Sequence, residues 1–291
     1  MTASEPRDLP VLSDGEFTQF QRLIYREAGI ALSPAKHSLV AARLARRVRD
    51  LSLPTFGAYY RRVVSGIGDE LTWMLNAITT NETHFFRESA QFDLLRDRCC
   101  VEWRSDAERS ARPRRARIWS AACSTGEEPY SIAMVLQDCL GAESWDFEIT
   151  ASDLSTTVLA KARAGVWPVE KLRAVPLPQL KRHFLRGSGP EAGRAKISAA
   201  LRAMVDFRRV NLRDERYPVT GAFDAIFCRN VLIYFDAASR AHVIAKLVER
   251  LAPGGYLFLG HAESLIGTAL PLRSVMPAVY QLQAGAERRA S

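Results

Sequence analysis

Three polar clusters in this chain have residue types suited to holding a small ligand. The first is Ser124-Thr125-Gly126-Glu127-Glu128-Pro129, directly behind the apolar run IWSAA (118–122). Its glycine lets backbone turn tightly and approach a ligand. It has neither the G-x-G-x-x-G spacing of a pyrophosphate cradle nor the lysine of a P-loop. Two carboxylates stand where phosphates would go, so the turn suits a cation or an ammonium group. The second is Asp153, at the end of the run DFEITASD (146–153). An acid there commonly accepts from ribose hydroxyls. The alternative is an N-cap for a helix from Thr156 onward. The third is Arg229-Asn230, behind FDAIFC (223–228). A ligand explains a polar pair behind a buried strand more easily than packing does. An ammonium, a ribose and no phosphates describe S-adenosylmethionine better than NAD or ATP.

These clusters need strands to hold them. The runs at 118–122, 146–153, 223–228 and YLFL (256–259) are short and apolar, and helical patterns separate them. Strands alternating with helices predict a doubly wound parallel sheet, whose ligands sit at the strands' carboxyl ends. A stretch rich in Pro and Gly, about 168–207, interrupts the alternation. It predicts an inserted subdomain with a hairpin around Gly187 to Gly193. The first 80 residues read as helical throughout. Phe17, Phe20, Leu23 and Ile24 follow a Ser13/Asp14 start with Glu16. Val40, Leu44, Val48 and Leu51 follow Ser33-Pro34. Phe56, Tyr59, Tyr60 and Val63 follow Pro54-Thr55, and Leu71, Leu75 and Ile78 begin a fourth helix. The expected domains are a helical one at 11–80, a cofactor-cleft segment and Arg-rich linker at 81–116, and an α/β domain at 117–283. The tail, 284–291, is expected to be disordered.

The composition is that of a soluble globular protein of 291 residues, 47% hydrophobic and 25% charged. No run approaches the length of a membrane span, and residues 1–10 lack the apolar core of a secretory signal. Five cysteines (99, 100, 123, 139, 228) contain no C-x-x-C pair, and five histidines (37, 84, 183, 242, 261) show no metal spacing. Reduced thiols, no metal and a cytoplasmic location are expected. The net charge is +8, which favours an acidic partner. Five basic residues and no acid lie between Lys36 and Arg49. Eight basic residues face two acids between Lys181 and Arg209. Residues 1–80 lack the interleaved aromatic and basic residues of a nucleic-acid surface.

The segments NETHFFRE (81–88), RIWSAACSTGEEPYSIAM (117–134), ASD (151–153), ARAGVW (162–167), FDAIFCRNVLIYFD (223–236) and LAPGGYLFLGHAES (251–264) resemble the CheR family of chemoreceptor glutamate methyltransferases. The resemblance runs from about residue 12 to residue 282. It implies an all-α N-terminal domain and a Rossmann-like S-adenosylmethionine methyltransferase domain with an inserted antiparallel β-subdomain. It further implies methylation of receptor glutamates, with S-adenosylhomocysteine as the product. Asn81, Thr83 and Arg87 would line the cofactor cleft, with Glu127 as the acid after the first strand and Asp153 on the ribose. Asn211 and Leu212 would flank the adenine, and Arg229 and Asn230 would close the pocket. Arg87 and Tyr234 would lie near the methyl transfer. For Arg87 an ion pair with Glu82 or Glu88 is the alternative, and for Tyr234 a core aromatic. His261 and Glu263 fit a role in the fold at least as well as substrate contact. His84 and Cys123 stand where the family often has Ser or Ala.

The implied partners are the cytoplasmic domains of chemoreceptors, with no nucleic acid and no membrane insertion, and the protein acting as a monomer. Arg43, Arg46 and Arg47 on the basic helix would meet acidic receptor helices, with a solvated face as the alternative. A loop like the one carrying Gly187 and Gly189 lets some family members bind a receptor's C-terminal tail by strand addition. Other readings remain open: a methyltransferase of the same fold acting on RNA or a small molecule, and a non-catalytic module that senses the cofactor.

Overall fold

A computed structural model describes residues 10–109, 111–265 and 270–283, and the expected disorder of 284–291 falls outside them. The chain forms two compact units. One is residues 1–80 with Tyr234–Ser239, and the other is Asn81–Ile233 with 240–291.

The first unit holds α1 (Asp14–Ala28), α2 (His37–Asp50), α3 (Phe56–Val64) and α4 (Glu70–Ile78). Local chemistry starts each of the first three. Ser13 and Glu16 form a reciprocal capping box on α1, Pro34 opens a 3-10 turn into α2, and Thr55 caps α3. The apolar positions expected from helical spacing are buried: Phe17, Phe20, Leu23 and Ile24 on α1, Val40, Leu44 and Val48 on α2, and Phe56, Tyr59 and Val63 on α3. The strap from Tyr234 to Ser239 also belongs here. The Ala31 N–H donates to the Tyr234 carbonyl (2.9 Å), and the Tyr25 hydroxyl donates to Asp236 (2.7 Å).

The second unit begins with α5 (Ser89–Leu94), a π-turn (Leu95–Cys99) and α6 (Cys100–Glu108). The Arg-rich connection expected within 81–116, from residue 104 onward, overlaps the end of α6. Phe92, Leu95, Cys99, Cys100 and Trp103 are buried in the main core. The arginines that suggested a linker are engaged: Arg104 with the Cys139 carbonyl and Glu143, and Arg112 with Asp224.

The chain then runs β1 (Arg115–Ala121), α7 (Glu127–Leu140), β2 (Asp146–Asp153), α8 (Thr156–Ala164), β3 (Val166–Pro168), α9 (Leu177–His183), β4 (Phe184–Arg186), β5 (Arg194–Ile197), α10 (Ala199–Ala203) and β6 (Val205–Arg209). It finishes with β7 (Phe223–Cys228), α11 (Ala237–Val248), β8 (Leu251–Leu259), β9 (Leu272–Met276) and β10 (Val279–Leu282). Seven strands make the main sheet in the order β6-β2-β1-β7-β8-β10-β9. The first five of these are mutually parallel, and β10 runs antiparallel to both β8 and β9. The chain steps from β1 outward to β2 and β6, then returns to lay β7 on the other side of β1. The switch point therefore lies between β1 and β7.

The insert's own sheet is antiparallel, in the order β3-β5-β4, and spans 166–197. Residues 205–209, inside the expected insert, instead pair with β2. Their alternation explains this, since Val205 and Phe207 point into the core and Asp206 and Arg208 to solvent. No helix among the described residues is long and apolar enough to cross a membrane.

Candidate cofactor cleft

The turn between β1 and α7 is strained in a way sequence alone does not reveal. Ala122 (φ 69°), Ser124 (φ 49°) and Gly126 (φ 97°) all occupy the left-handed region. Non-glycine residues held there are stabilised by their surroundings, and they cluster at functional sites. Here the Ser124 N–H donates to Asp153 Oδ2 (2.9 Å), and its hydroxyl donates to the Asn81 carbonyl (2.8 Å). Gly126 is obligatory on two counts. Its φ disfavours a side chain, and a Cβ would lie 2.9 Å from the Ala162 Cβ.

Asp153 ends β2 in the interior. Its Oδ1 accepts from the Ser155 N–H (2.9 Å). The cap of α8 is Ser155, whose hydroxyl accepts from the Val158 N–H (3.4 Å), so Asp153 is released from the N-cap role. Burial pushes the Asp153 carboxyl above its ordinary value, against the pull of the Ser155 and Ser124 N–H groups. Glu127 is also buried. Desolvation raises its carboxyl, and the Thr125 hydroxyl donates to it at 2.6 Å. Two acids thus flank one turn, and burial disfavours the charge of each.

Arg229 is held from several sides. Its side chain is 1% exposed and pairs with Glu88 (3.2 Å) and Glu128 (3.4 Å). It also donates to the Arg87 carbonyl and lies over Phe92, 5.4 Å from the ring centre. Its Nε and Nη1 are buried without a hydrogen-bond partner. Burial raises both glutamates. At Glu88 the Arg229 charge and N–H groups outweigh that and hold the carboxyl low, while at Glu128 burial prevails.

Asn230 is left-handed (φ 57°), and its amide donates to Glu88 (3.3 Å). Glu263 fixes this loop. Its buried carboxylate accepts from the N–H groups of Asn230 (2.9 Å), Leu232 (2.7 Å), Ile233 (3.3 Å) and Gly260 (2.7 Å), joining the ends of β7 and β8. The structure gives Glu263 a fold role.

The segment 81–88 crosses this end of the sheet. Asn81 supports Ser124, and Thr83 is half-buried beside it in sequence. Arg87 donates to the Glu82 carbonyl (3.0 Å). Neither acid proposed as its ion-pair partner takes it, since Glu88 is committed to Arg229. At the end of β6, Asn211 accepts from the Arg213 N–H (3.1 Å), and the Leu212 carbonyl accepts from the Tyr217 hydroxyl (2.8 Å). The unit thus brings Asn81, Glu127, Asp153, Arg229 and Asn230 to the carboxyl ends of β1, β2 and β7. Tyr234, the last residue of the short 3-10 turn Leu232–Tyr234, belongs to the other unit.

The basic helix turns out to be divided. Arg43 reaches back to the Ile78 and Thr79 carbonyls and the Thr80 hydroxyl, at the C-terminal end of α4. Arg47 makes a two-point contact with buried Glu70 (2.6 and 3.0 Å). Both are occupied inside the helical unit. Arg46 is 81% exposed, and Lys36 and Arg49 are exposed too. Helical phase accounts for the split: 43 and 47 adjoin the buried 40-44-48 stripe, and 46 and 49 lie opposite it.

In the insert, the Gly187 N–H donates to the Arg194 carbonyl (2.8 Å), and the Ser198 N–H to the His183 carbonyl (2.7 Å). Antiparallel alternation then turns the backbone groups of Phe184 and Arg186 to the open side of β4. Gly187 has no room for a side chain, since a Cβ would sit 2.1 Å from the Glu191 carbonyl oxygen. Gly189 (φ 56°) needs its left-handed backbone.

A buried acid that accepts from backbone N–H groups, beside a turn flanked by a second buried acid, has the acceptors for a ribose and an ammonium group. S-adenosylmethionine offers both. No group of three or more His, Cys, Asp or Glu among the described residues could hold a metal ion.

Comparison with known proteins agrees with this chemistry. Residues 81–278 match the SAM binding domain of CheR methyltransferases, and residues 15–79 match the CheR all-alpha domain. The chain is 43% identical over 265 residues to chemotaxis protein methyltransferase 2 of Pseudomonas aeruginosa PAO1, covering 91% of this chain and 92% of that one. It is 44% identical over 254 residues to the chemotaxis protein methyltransferase of Escherichia coli K12 (87% and 85% covered). It is 34% identical over 273 residues to that of Borreliella burgdorferi B31 (93% and 95% covered). With both domains matched in order, and a strained acid-flanked turn at the switch point of the second, the chain belongs to the CheR methyltransferase family.

Proposed function

We propose that this protein methylates glutamate side chains on the cytoplasmic domains of chemoreceptors, giving γ-glutamyl methyl esters and S-adenosylhomocysteine. The observation that carries the reading is the paired burial of Asp153 and Glu127 at the strained β1–α7 turn. S-adenosylmethionine supplies an electrophilic methyl group on a sulfonium sulfur. Asp153 accepts from the ribose hydroxyls, with its own orientation set by Ser124 and Ser155. Glu127 faces the ammonium group, and Asn211 and Leu212 border the adenine. The acceptor is a carboxylate already ionised at neutral pH, because free glutamate titrates near 4.3. No base is needed. Arg87 uses one N–H on the Glu82 carbonyl and has others with which to orient the incoming carboxylate. Opposite charges neutralise each other along the path, so a water-poor cleft and correct positioning supply the acceleration.

The receptor is engaged through charge and through the insert. Lys36, just ahead of α2, and Arg46 and Arg49 on it make an exposed basic face suited to acidic helices, on which Arg46 also pairs with Asp50 (3.6 Å). The open edge of β4 is suited to a receptor's C-terminal tail added as a strand. Reversing Lys36, Arg46 and Arg49 to Glu is expected to slow receptor methylation several-fold and to reduce its salt sensitivity, with cofactor affinity unchanged. Deleting the tail from a tail-bearing receptor should slow it independently. A normal rate in the first case leaves α2 a solvated face, and in the second it leaves the β4 edge without this partner.

A further inference from the structure

Arg87 is the side chain assigned above to the incoming carboxylate, and its backbone is gripped from both sides. Its neighbours Phe86 (φ 53°) and Glu88 (φ 59°) are both left-handed without being glycine. Such backbone persists only where the surroundings over-determine it. Three contacts do so here. The Phe86 N–H donates to the Ser131 hydroxyl (3.0 Å), which donates in turn to the Glu127 carbonyl (2.7 Å). The Arg87 carbonyl accepts from Arg229. The Glu88 carbonyl accepts from the Gln91 N–H (2.9 Å), where α5 begins.

The Glu88 side chain ties this segment to the strand ends. Its Oε1 accepts from the Asn230 amide (3.3 Å), behind β7, and from the His261 N–H (3.2 Å), behind β8. Its Oε2 accepts from the Gln91 amide (3.2 Å) and pairs with Arg229 (3.2 Å). Both oxygens accept, which suits a carboxylate; an amide at this position would turn N–H groups toward donors. Arg229 carries the constraint back along the chain. Glu88 holds it on one side. Glu128 holds it on the other and itself accepts from the Ser120 hydroxyl of β1 (2.7 Å). Arg229 then donates to the carbonyl of Arg87, so residue 88 closes a ring onto the residue before it. The Arg87 side chain is only half-buried and donates to the Glu82 carbonyl (3.0 Å). Its aim therefore depends on how firmly its backbone is held.

We propose that Glu88 is a positioning residue for methyl transfer: by fixing Arg229 it holds the Arg87 backbone so that the guanidinium meets the acceptor carboxylate. This role rests on the methyl transfer and on the part for Arg87 proposed above. Glu88 does not touch the substrate. Its effect passes through Arg87, and it should appear in the rate of transfer rather than in cofactor binding. Asp153 and Glu127 keep their own partners when Glu88 changes, and Asn230 keeps its backbone bond to Glu263.

The test is a double-mutant cycle on the full chain, using methyl-labelled S-adenosylmethionine and the cytoplasmic fragment of a methyl-accepting chemoreceptor. Wild type, Glu88→Gln, Arg87→Ala and the double variant are compared in kcat, receptor KM, calorimetric cofactor affinity and melting temperature. Glu88→Gln is expected to lower kcat roughly 10- to 100-fold, the range that misplacement of a reacting group produces. Receptor KM and cofactor affinity should stay near wild type. In the Arg87→Ala background the same change should cost little more, because nothing is left for Glu88 to aim. Glu88→Asp keeps the charge opposite Arg229 on a shorter arm and should fall between wild type and Glu88→Gln. If Glu88→Gln does not fold, Glu88→Asp is carried through the same cycle. A purely structural role predicts the same loss with or without Arg87, and that result would overturn the proposal, as would a folded Glu88→Gln with wild-type kcat. Wild type that transfers no methyl group to the receptor overturns the reading of function itself, and the proposal with it; the wild-type arm alone shows that failure.

Discussion

Replacing Arg229 with leucine is expected to lower the melting temperature of the α/β unit by roughly 10 °C at neutral pH. The guanidinium is buried, and it is the positive charge between the Glu88 and Glu128 carboxylates. Removing one partner of a buried ion pair typically costs about 3–5 kcal/mol, because the remaining charge is left uncompensated. In a chain of this size about 1 kcal/mol moves the melting point by roughly 2–4 °C. Two carboxylates would then face each other in the interior. The loss should shrink as pH falls. The Arg229 charge holds Glu88 low; without it both carboxyls titrate higher in the folded protein, and their protonation at acid pH relieves the repulsion. Adding Glu128→Gln to the leucine variant should recover part of the stability, which mere loss of packing would not predict. Thermal melts of the three proteins across pH check this, and an unchanged melting point in the leucine variant contradicts it.

Asp153→Ala is expected to weaken S-adenosylmethionine binding by about 1–3 kcal/mol, or roughly 5- to 150-fold. The ribose loses its acceptor, and the turn also loosens, because the Ser124 and Ser155 N–H groups lose theirs. Asp153→Asn keeps one acceptor oxygen for the turn and should fall between wild type and alanine. Burial raises both Asp153 and Glu127. Wild-type affinity should therefore decline as pH falls into their raised titration range, where the cationic ligand meets protonated acids. Calorimetry over a pH series measures both effects. Unchanged affinity in a folded alanine variant would leave Asp153 with only its backbone contacts to explain it.

Much of this architecture is legible in the sequence where its causes are local. The capping box at Ser13 and Glu16, the buried steps at 17, 20, 23 and 24, and the apolar runs ending at Ala121, Asp153 and Cys228 all depend on neighbours a few residues away. The clusters behind those runs needed only the rule that ligands gather at strand ends. Illegible features depend on residues distant in the chain. Nothing near Arg229 shows that its partners are Glu88 and Glu128, and Glu263 binds three N–H groups some 30 positions earlier. The strap 234–239 joins the helical unit only through contacts such as that of Tyr25 with Asp236. Arg43 and Arg47 are an intermediate case. Their charge suggests an exposed surface, and only their phase relative to Val40, Leu44 and Val48 reveals that they serve the interior.

Methyl transfer itself gives the most direct test of the central claim. Purified protein would be incubated with methyl-labelled S-adenosylmethionine and the cytoplasmic fragment of a methyl-accepting chemoreceptor, and the label would be located by mass spectrometry and base treatment. The account predicts label on glutamate side chains of the receptor, released by mild base as methanol, with S-adenosylhomocysteine formed in equal amount. Label that resists base, label on another class of acceptor, or cofactor binding without transfer to any chemoreceptor of the host would contradict it.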